Sequence, residues 1–170
     1  MEIEIVQDEC AANPCTEFDL LTQFVIFHRR YSFGNCKDFK TPEDFEKFMK
    51  RNRAGFFYPL YMYDHSGITI SLSPFSCPWD SGQVGWVFVT KTAAVKEFGR
   101  KVTKEKVYGI IQSEVNWLDL YLKGEVYGYK IKDDENNVLD SCYGFYGKEC
   151  VEEAAQNALE QLTEYANIGK

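Results

Sequence analysis

The chain has 170 residues, of which 45% are hydrophobic and 16% aromatic, and its formal net charge is −7. This is enough apolar material to fill the core of a single domain over residues 1–170. No apolar run reaches the length of a membrane span, and the summed negative field disfavours nucleic-acid phosphates, so neither membrane nor direct nucleic-acid binding is expected.

The start, "MEIEIVQDEC", carries acids where a signal peptide needs bases and then an apolar run, which predicts a soluble, cytoplasmic protein. Charge is unevenly placed. Residues 1–20 hold six acids and no base, residues 21–53 eight bases against four acids, and residues 91–106 six bases against two. From Val107 onward there are twelve acids and five bases. Acidic ends of this kind suit a basic surface or groove on a protein partner.

Glu2–Gln7 alternates, with Ile3 and Ile5 opposite Glu2 and Glu4, and predicts a half-buried strand. Residues 8–17 contain Asn13-Pro14 and read as a loop. Phe18–Tyr31 is open between a strand through "FVIF" ending near Arg30 and a short helix over its first half. "KTPEDFEKFMKRNRAG" predicts a helix capped by Thr41, started by Pro42, striped by Phe45, Phe48 and Met49, and ended by Gly55.

Phe56–Tyr63 and Ile68–Leu72 read as strands joined by the turn residues Asp64-His65-Ser66-Gly67, and Val84–Thr90 as a further strand. A short helix over Ala93–Phe98 stops at Gly99. A longer one, capped by Thr103, runs to about Lys123 and is closed by Gly124. Glu125–Lys132 and Val138–Phe145 form a hairpin around "DDENN", and Val151–Ala166 a last helix burying Ala155, Ala158, Leu159 and Leu162. The expected class is α+β, with a mainly antiparallel sheet of about five to seven strands packed against three or four helices.

Six cysteines without a CxxC pair, in a cytosolic chain, read as buried free thiols rather than a disulfide or zinc framework. Cys77, His65 and Asp80 have the residue types of a nucleophile, base and orienting acid. Against that chemistry, Pro78 follows the cysteine and no helix N-terminus follows to activate it. His28, His65, Asp64 and Asp80 are metal-ligand types without metal-site spacing, so no metal and no cofactor are expected. "DDENNVLD" lacks the glycine and glutamate of a calcium loop, and "SGQVG" lacks phosphate-loop spacing. The bland reading is that His65 sits in a turn, with Asp64 and Ser66 bonding local backbone. His28-Arg29-Arg30-Tyr31 is a basic-aromatic cluster that would either grip an acidic partner or pair with the acidic N-terminal segment. Most aromatics between Phe56 and Phe88 belong in the core by alternation, but Trp79 falls in the Pro74–Gly82 loop, where a large aromatic serves as a binding anchor or a lid on the sheet.

"YPLYMYDHSGITIS" and "FSCPWDSGQVGWVFVTK", together with "GEVYGY" (Gly124–Tyr129), "DSCYGFYG" (Asp140–Gly147) and "FHRRY" (Phe27–Tyr31), resemble a family of small uncharacterised proteins recurring in bacteriophages, plasmids and integrated mobile elements. The resemblance spans most of the chain. It implies an accessory protein of a mobile element and transfers no catalytic role.

In that context the expected function is protein–protein binding, with a host or defence-system protein as partner and inhibition of a defence or nucleic-acid-handling enzyme as the outcome. The binding residues would be Asp64, His65, Cys77, Trp79 and Asp80, with His28, Arg29 and Arg30. The alternative is a small enzyme or small-ligand-binding protein using the loops Asp64–Gly82. A third reading is self-association. A deep pocket at those loops would favour a ligand, a flat or convex surface a protein.

Overall fold

The structure, a computed structural model, describes residues 1–168. Alternating Ile3 and Ile5 produce β1 (Glu2–Gln7), followed by a four-residue helix α1 (Pro14–Glu17) and β2 (Gln23–Ile26). Next come α2 (Pro42–Arg51), β3 (Phe56–Asp64), β4 (Ile68–Ser71) and β5 (Ser81–Val89). The remainder is α3 (Lys91–Phe98), α4 (Lys104–Leu122), the hairpin β6 (Val126–Lys132) and β7 (Val138–Tyr146), and α5 (Lys148–Ile168). All strand pairs are antiparallel, in a three-stranded sheet ordered β1-β6-β7 and a four-stranded sheet ordered β2-β5-β3-β4. The protein is thus α+β.

By its internal contacts the chain forms two compact units, Met1–Ala12 with the residues from Gly124 onward, and Asn13–Lys123. In the first, α5 covers one face of β1-β6-β7. Val151 and Ala155 are fully buried there against Tyr129 and Ile131, with Ile3 and Ile5 beside them. Asp133 closes the hairpin by accepting the backbone N–H groups of Glu135 and Asn137 at 2.9 and 2.8 Å, and also the Asn137 amide. Those Asn137 bonds hold the Asp133 carboxyl below its ordinary value. "DDENN" is a hairpin turn organised by its first residue.

In the second unit the four-stranded sheet is covered on both faces. Phe56, Tyr58, Leu60 and Met62 alternate onto the α4 side, meeting Val107, Ile111 and Leu118, while Phe57 points to the side of α2. There Phe45 is fully buried, with ring centroids 5.3 Å from Trp86 and 5.4 Å from Phe88. A bulge opposite Leu60 and Tyr61 shifts the β5 register. It leaves Val84 unpaired with β3 and lets Val84 and Val87, three apart, face the same core.

Both edges of this sheet are blunted. Along β2, the Asn35 side chain accepts the Phe24 N–H at 2.7 Å and donates to the Thr22 carbonyl, and the Cys36 N–H bonds the Phe24 carbonyl. Along β4, the Ile70 N–H donates to Asp119 Oδ1 at 2.7 Å. Side chains therefore occupy positions at which another strand would pair.

Local signals place most boundaries. Thr41, Thr90 and Thr103 accept the N–H groups of Asp44, Ala93 and Lys106 as N-caps. Gly124 follows α4 in the left-handed region at φ 71, where a side chain would be strained. Several ends differ from expectation. The loop expected over residues 8–17 closes into the single turn of α1, because Asn13 caps it by accepting the Cys15 N–H. Helix α2 stops at Arg51 rather than near Gly55, because the Asn52 side chain bonds the Phe48 carbonyl and takes up the last turn. Strand β2 stops at Ile26 rather than near Arg30, because His28 Nδ1 accepts the Arg30 N–H and turns the chain. The strand at the end of "CPWDSGQVG" begins three residues earlier than expected, at Ser81.

Candidate functional site

Strand β5 runs antiparallel to both β2 and β3, so the chain leaving β2, the chain leaving β3 and the chain entering β5 meet at one end of the sheet. That topology gathers "HRRY", "DHSG" and "CPWDSG" at one place, although His28 and Asp80 lie 52 positions apart in the chain.

Two carboxylates organise the surface. Asp64 Oδ2 accepts from Arg30 Nη2 at 2.6 Å and from the Tyr31 hydroxyl at 3.0 Å. The Tyr31 ring stacks on His28 with centroids 5.0 Å apart, and the Arg30 guanidinium lies over the same ring. Hydrogen bonding to the Asp64 carboxylate, with burial second, raises the Tyr31 phenol above its usual value. Asp80 Oδ2 receives His65 Nδ1 at 3.2 Å and the Cys77 thiol at 3.9 Å. The loops are also tied by main chain, with the Asp64 N–H on the Asp80 carbonyl at 2.9 Å and the Ser81 hydroxyl on the Cys77 carbonyl.

His28, Arg30, Asp64, Trp79 and Asp80 line a cleft of about 270 Å³, floored in part by Met62 and Val84. Trp79 is 91% exposed, and the His65 side chain 64%. Both face solvent. Arg29 is exposed and does not line the cleft, and neither His65 nor Cys77 is in its wall.

The structure brings Cys77, Asp80 and His65 together, but in the wrong order for nucleophilic catalysis. Thiol and imidazole both bond one carboxylate oxygen, so the acid stands in the middle, whereas an activated thiol needs the base beside it. His65 does sit in a turn, its N–H bonded to the Gly67 carbonyl at 3.1 Å, but its ring reaches Asp80, and the Asp64 side chain reaches Arg30 and Tyr31 rather than local backbone. Arg30 pairs with Asp64 and not with the acidic N-terminal segment. Among the described residues, no group of three histidines, cysteines, aspartates or glutamates is placed to hold a metal ion.

No family model matches this chain, and no curated protein or solved structure gives a match. Its own geometry therefore carries the functional argument.

Sequence reasoning did not single out Ser81, which ties the Trp79 loop, or Tyr63, which stacks on His65 at 5.8 Å and backs Phe75 at 5.7 Å. Ser81 opens the turn-rich "SGQ", but its bond to Cys77 depends on a loop closure invisible in one dimension. The cysteines divide by location rather than sharing the core. Cys15 and Cys36 are buried, while Cys10, Cys142 and Cys150 are exposed. Burial, followed by the charge of Glu114, pushes the Cys15 thiol up to about 12. Iodoacetamide at about pH 8 should therefore modify the exposed Cys10, Cys142 and Cys150 in the native protein and reach Cys15 and Cys36 only after unfolding. Peptide mass spectrometry reads this out, and native labelling of Cys15 at the rate of Cys142 would contradict the assigned burial.

Proposed function

We propose that this protein is an accessory protein of a bacteriophage or other mobile element, that it acts in the bacterial cytoplasm, and that it works by binding a host or defence-system protein. The observation that carries the binding reading is Trp79, almost wholly exposed at the rim of a small polar cleft. Burying a large aromatic that the fold leaves in water is the commonest source of binding energy at protein interfaces. The loop displaying it is held by the Asp80 and Ser81 bonds, which reduces the ordering cost on association.

The acidic net charge supports a basic partner surface, such as the groove of a nucleic-acid-handling enzyme, and inhibition would follow from occupying it. A small-ligand or enzymatic use of the loops Asp64–Gly82 has less behind it. The cleft falls below the common range of about 300–1,000 Å³ for ligand pockets, and neither His65 nor Cys77 lines it.

Tagged protein recovered from phage-infected cells at physiological salt should carry a bacterial protein identifiable by mass spectrometry. Trp79→Ala should lose it, with affinity falling about 30-fold or more, while the circular-dichroism spectrum stays unchanged. Equal recovery by both forms, or none above the untagged control, would sink the reading.

A further inference from the structure

We infer that the Trp79 cleft receives a guanidinium group, that is, an arginine side chain presented by the partner protein. The inference rests on reading this surface as a partner-binding site and names the chemistry that it recognises.

The cleft wall holds two carboxylates, Asp64 and Asp80, against one guanidinium, Arg30. Arg30 is already committed to Asp64 through Oδ2. Every hydrogen bond to these two carboxylates among the described residues uses Oδ2, from Arg30 and Tyr31 on Asp64 and from His65 and Cys77 on Asp80. The Oδ1 atoms of both are left to accept from something else. One carboxylate in the wall therefore has no guanidinium partner there. An anionic group entering here would meet two carboxylates and no unpaired cation in the wall. A purely apolar group would cover polar walls without satisfying them.

A cation fits, and the exposed indole selects among cations. Trp offers the strongest ring face for a cation, and a planar guanidinium stacks on that face while its edge N–H groups still reach a carboxylate. An ammonium group has no plane to stack and holds its hydration more tightly. The same combination occurs inside the site already, where Arg30 lies 5.3 Å from the Tyr31 centroid while bonding Asp64. Trp79 and Asp80 likewise line one cleft, an indole and a carboxylate in the same wall.

The test uses the 170-residue chain labelled with ¹⁵N at its tryptophans, whose indole N–H signals are followed by NMR. Trp79→Phe assigns the Trp79 signal against those of Trp86 and Trp117. N-acetyl-arginine methylamide is then titrated beside the lysine, citrulline and glutamate analogues. A saturable shift of the Trp79 signal with arginine, weaker with lysine and absent with citrulline and glutamate, is the expected result. Asp80→Asn should weaken the arginine response about fivefold and Asp80→Glu should restore it.

A citrulline response equal to that of arginine would overturn the assignment, because citrulline keeps the shape and loses the charge. Absence of any saturable shift would overturn it too. An unaltered response in Asp80→Asn with a native spectrum would overturn the role of the carboxylate. If Trp79→Ala abolishes partner capture while arginine gives no response, the binding surface stands and the guanidinium assignment falls.

Discussion

Gly85→Ala is expected to destabilise the protein by about 3 kcal/mol, while Gly82→Ala, three residues earlier in the same "SGQVG", changes it by less than about 0.5 kcal/mol. A Cβ at position 85 would overlap the Val25 carbonyl oxygen and stand 2.9 Å from its carbon. Both are backbone atoms, so no rotamer change relieves the contact and β2 must move away. That strand is four residues long, and its pairing with β5 runs only from Gln23↔Phe88 to Ile26↔Gly85. Backing off also breaks the 2.8 Å bond from the Phe27 N–H to the Val84 carbonyl. At Gly82 an added Cβ meets no heavy atom within 4 Å. Urea unfolding of the two variants gives the comparison, and equal midpoints would refute the packing argument. Because β2 leads directly into His28–Tyr31, Gly85→Ala should also disturb the Arg30–Asp64 pair and the cleft beside it.

Glu114→Ala should cost a similar amount, about 3 kcal/mol. Glu114 lies in α4 with 7% of its surface exposed, and its two oxygens accept the backbone N–H groups of Leu21 at 3.0 Å and Thr22 at 2.8 Å. Thr22 is fully buried, so deleting the carboxylate strands its N–H away from water. Removing a buried charge also relieves desolvation, which opposes the loss. The expected cost of about 3 kcal/mol is net of that relief. Glu114→Gln should fall between wild type and alanine, since its amide oxygen accepts one N–H while its NH₂ faces the other as a second donor. Hydrogen exchange at Leu21 and Thr22 localises the effect. If those amides exchange no faster in Glu114→Ala, the bidentate bond is not what anchors the β2 approach.

Glu114 also shows what periodicity does and does not disclose. It falls between Ile111 and Val115 on the buried stripe of α4, and an acid in an apolar stripe is a signal that a backbone or a cation awaits it. Which backbone it meets, 92 and 93 residues earlier in the chain, is a matter of how α4 crosses the sheet. The bulge in β5 has the same character. Strict alternation would put Val84 and Trp86 on one face, but the extra residue sends Val84 to the α4 core and Trp86 to Phe45.

The candidate site divides along the same line. Loop residues such as Pro74, Pro78 and Gly82 mark "SPFSCPWDSG" as irregular chain, and a tryptophan within it already suggests an anchor. The identities of His65, Cys77 and Asp80 are those of a thiol site, against which Pro78 and the lack of a following helix already stand in the sequence. Their arrangement, with the carboxylate between the other two, adds the geometric objection. Arg30 is the clearest case of a changed partner, since charge counting directs it to the acidic N-terminal segment and the fold gives it Asp64.

Residue order was enough to establish the α+β class, the threonine N-caps, the strand-forming alternation and the location of the unusual loop. Each of these depends on residues within a turn or two of one another, where backbone sterics and side-chain period act directly. Three-dimensional packing was needed to bring three loops to one sheet end, to give Asp64 and Asp80 two partners each on Oδ2, and to leave Trp79 in water. Those outcomes follow from strand order and register, which depend on how all the apolar faces are buried at once and are not written in any local stretch.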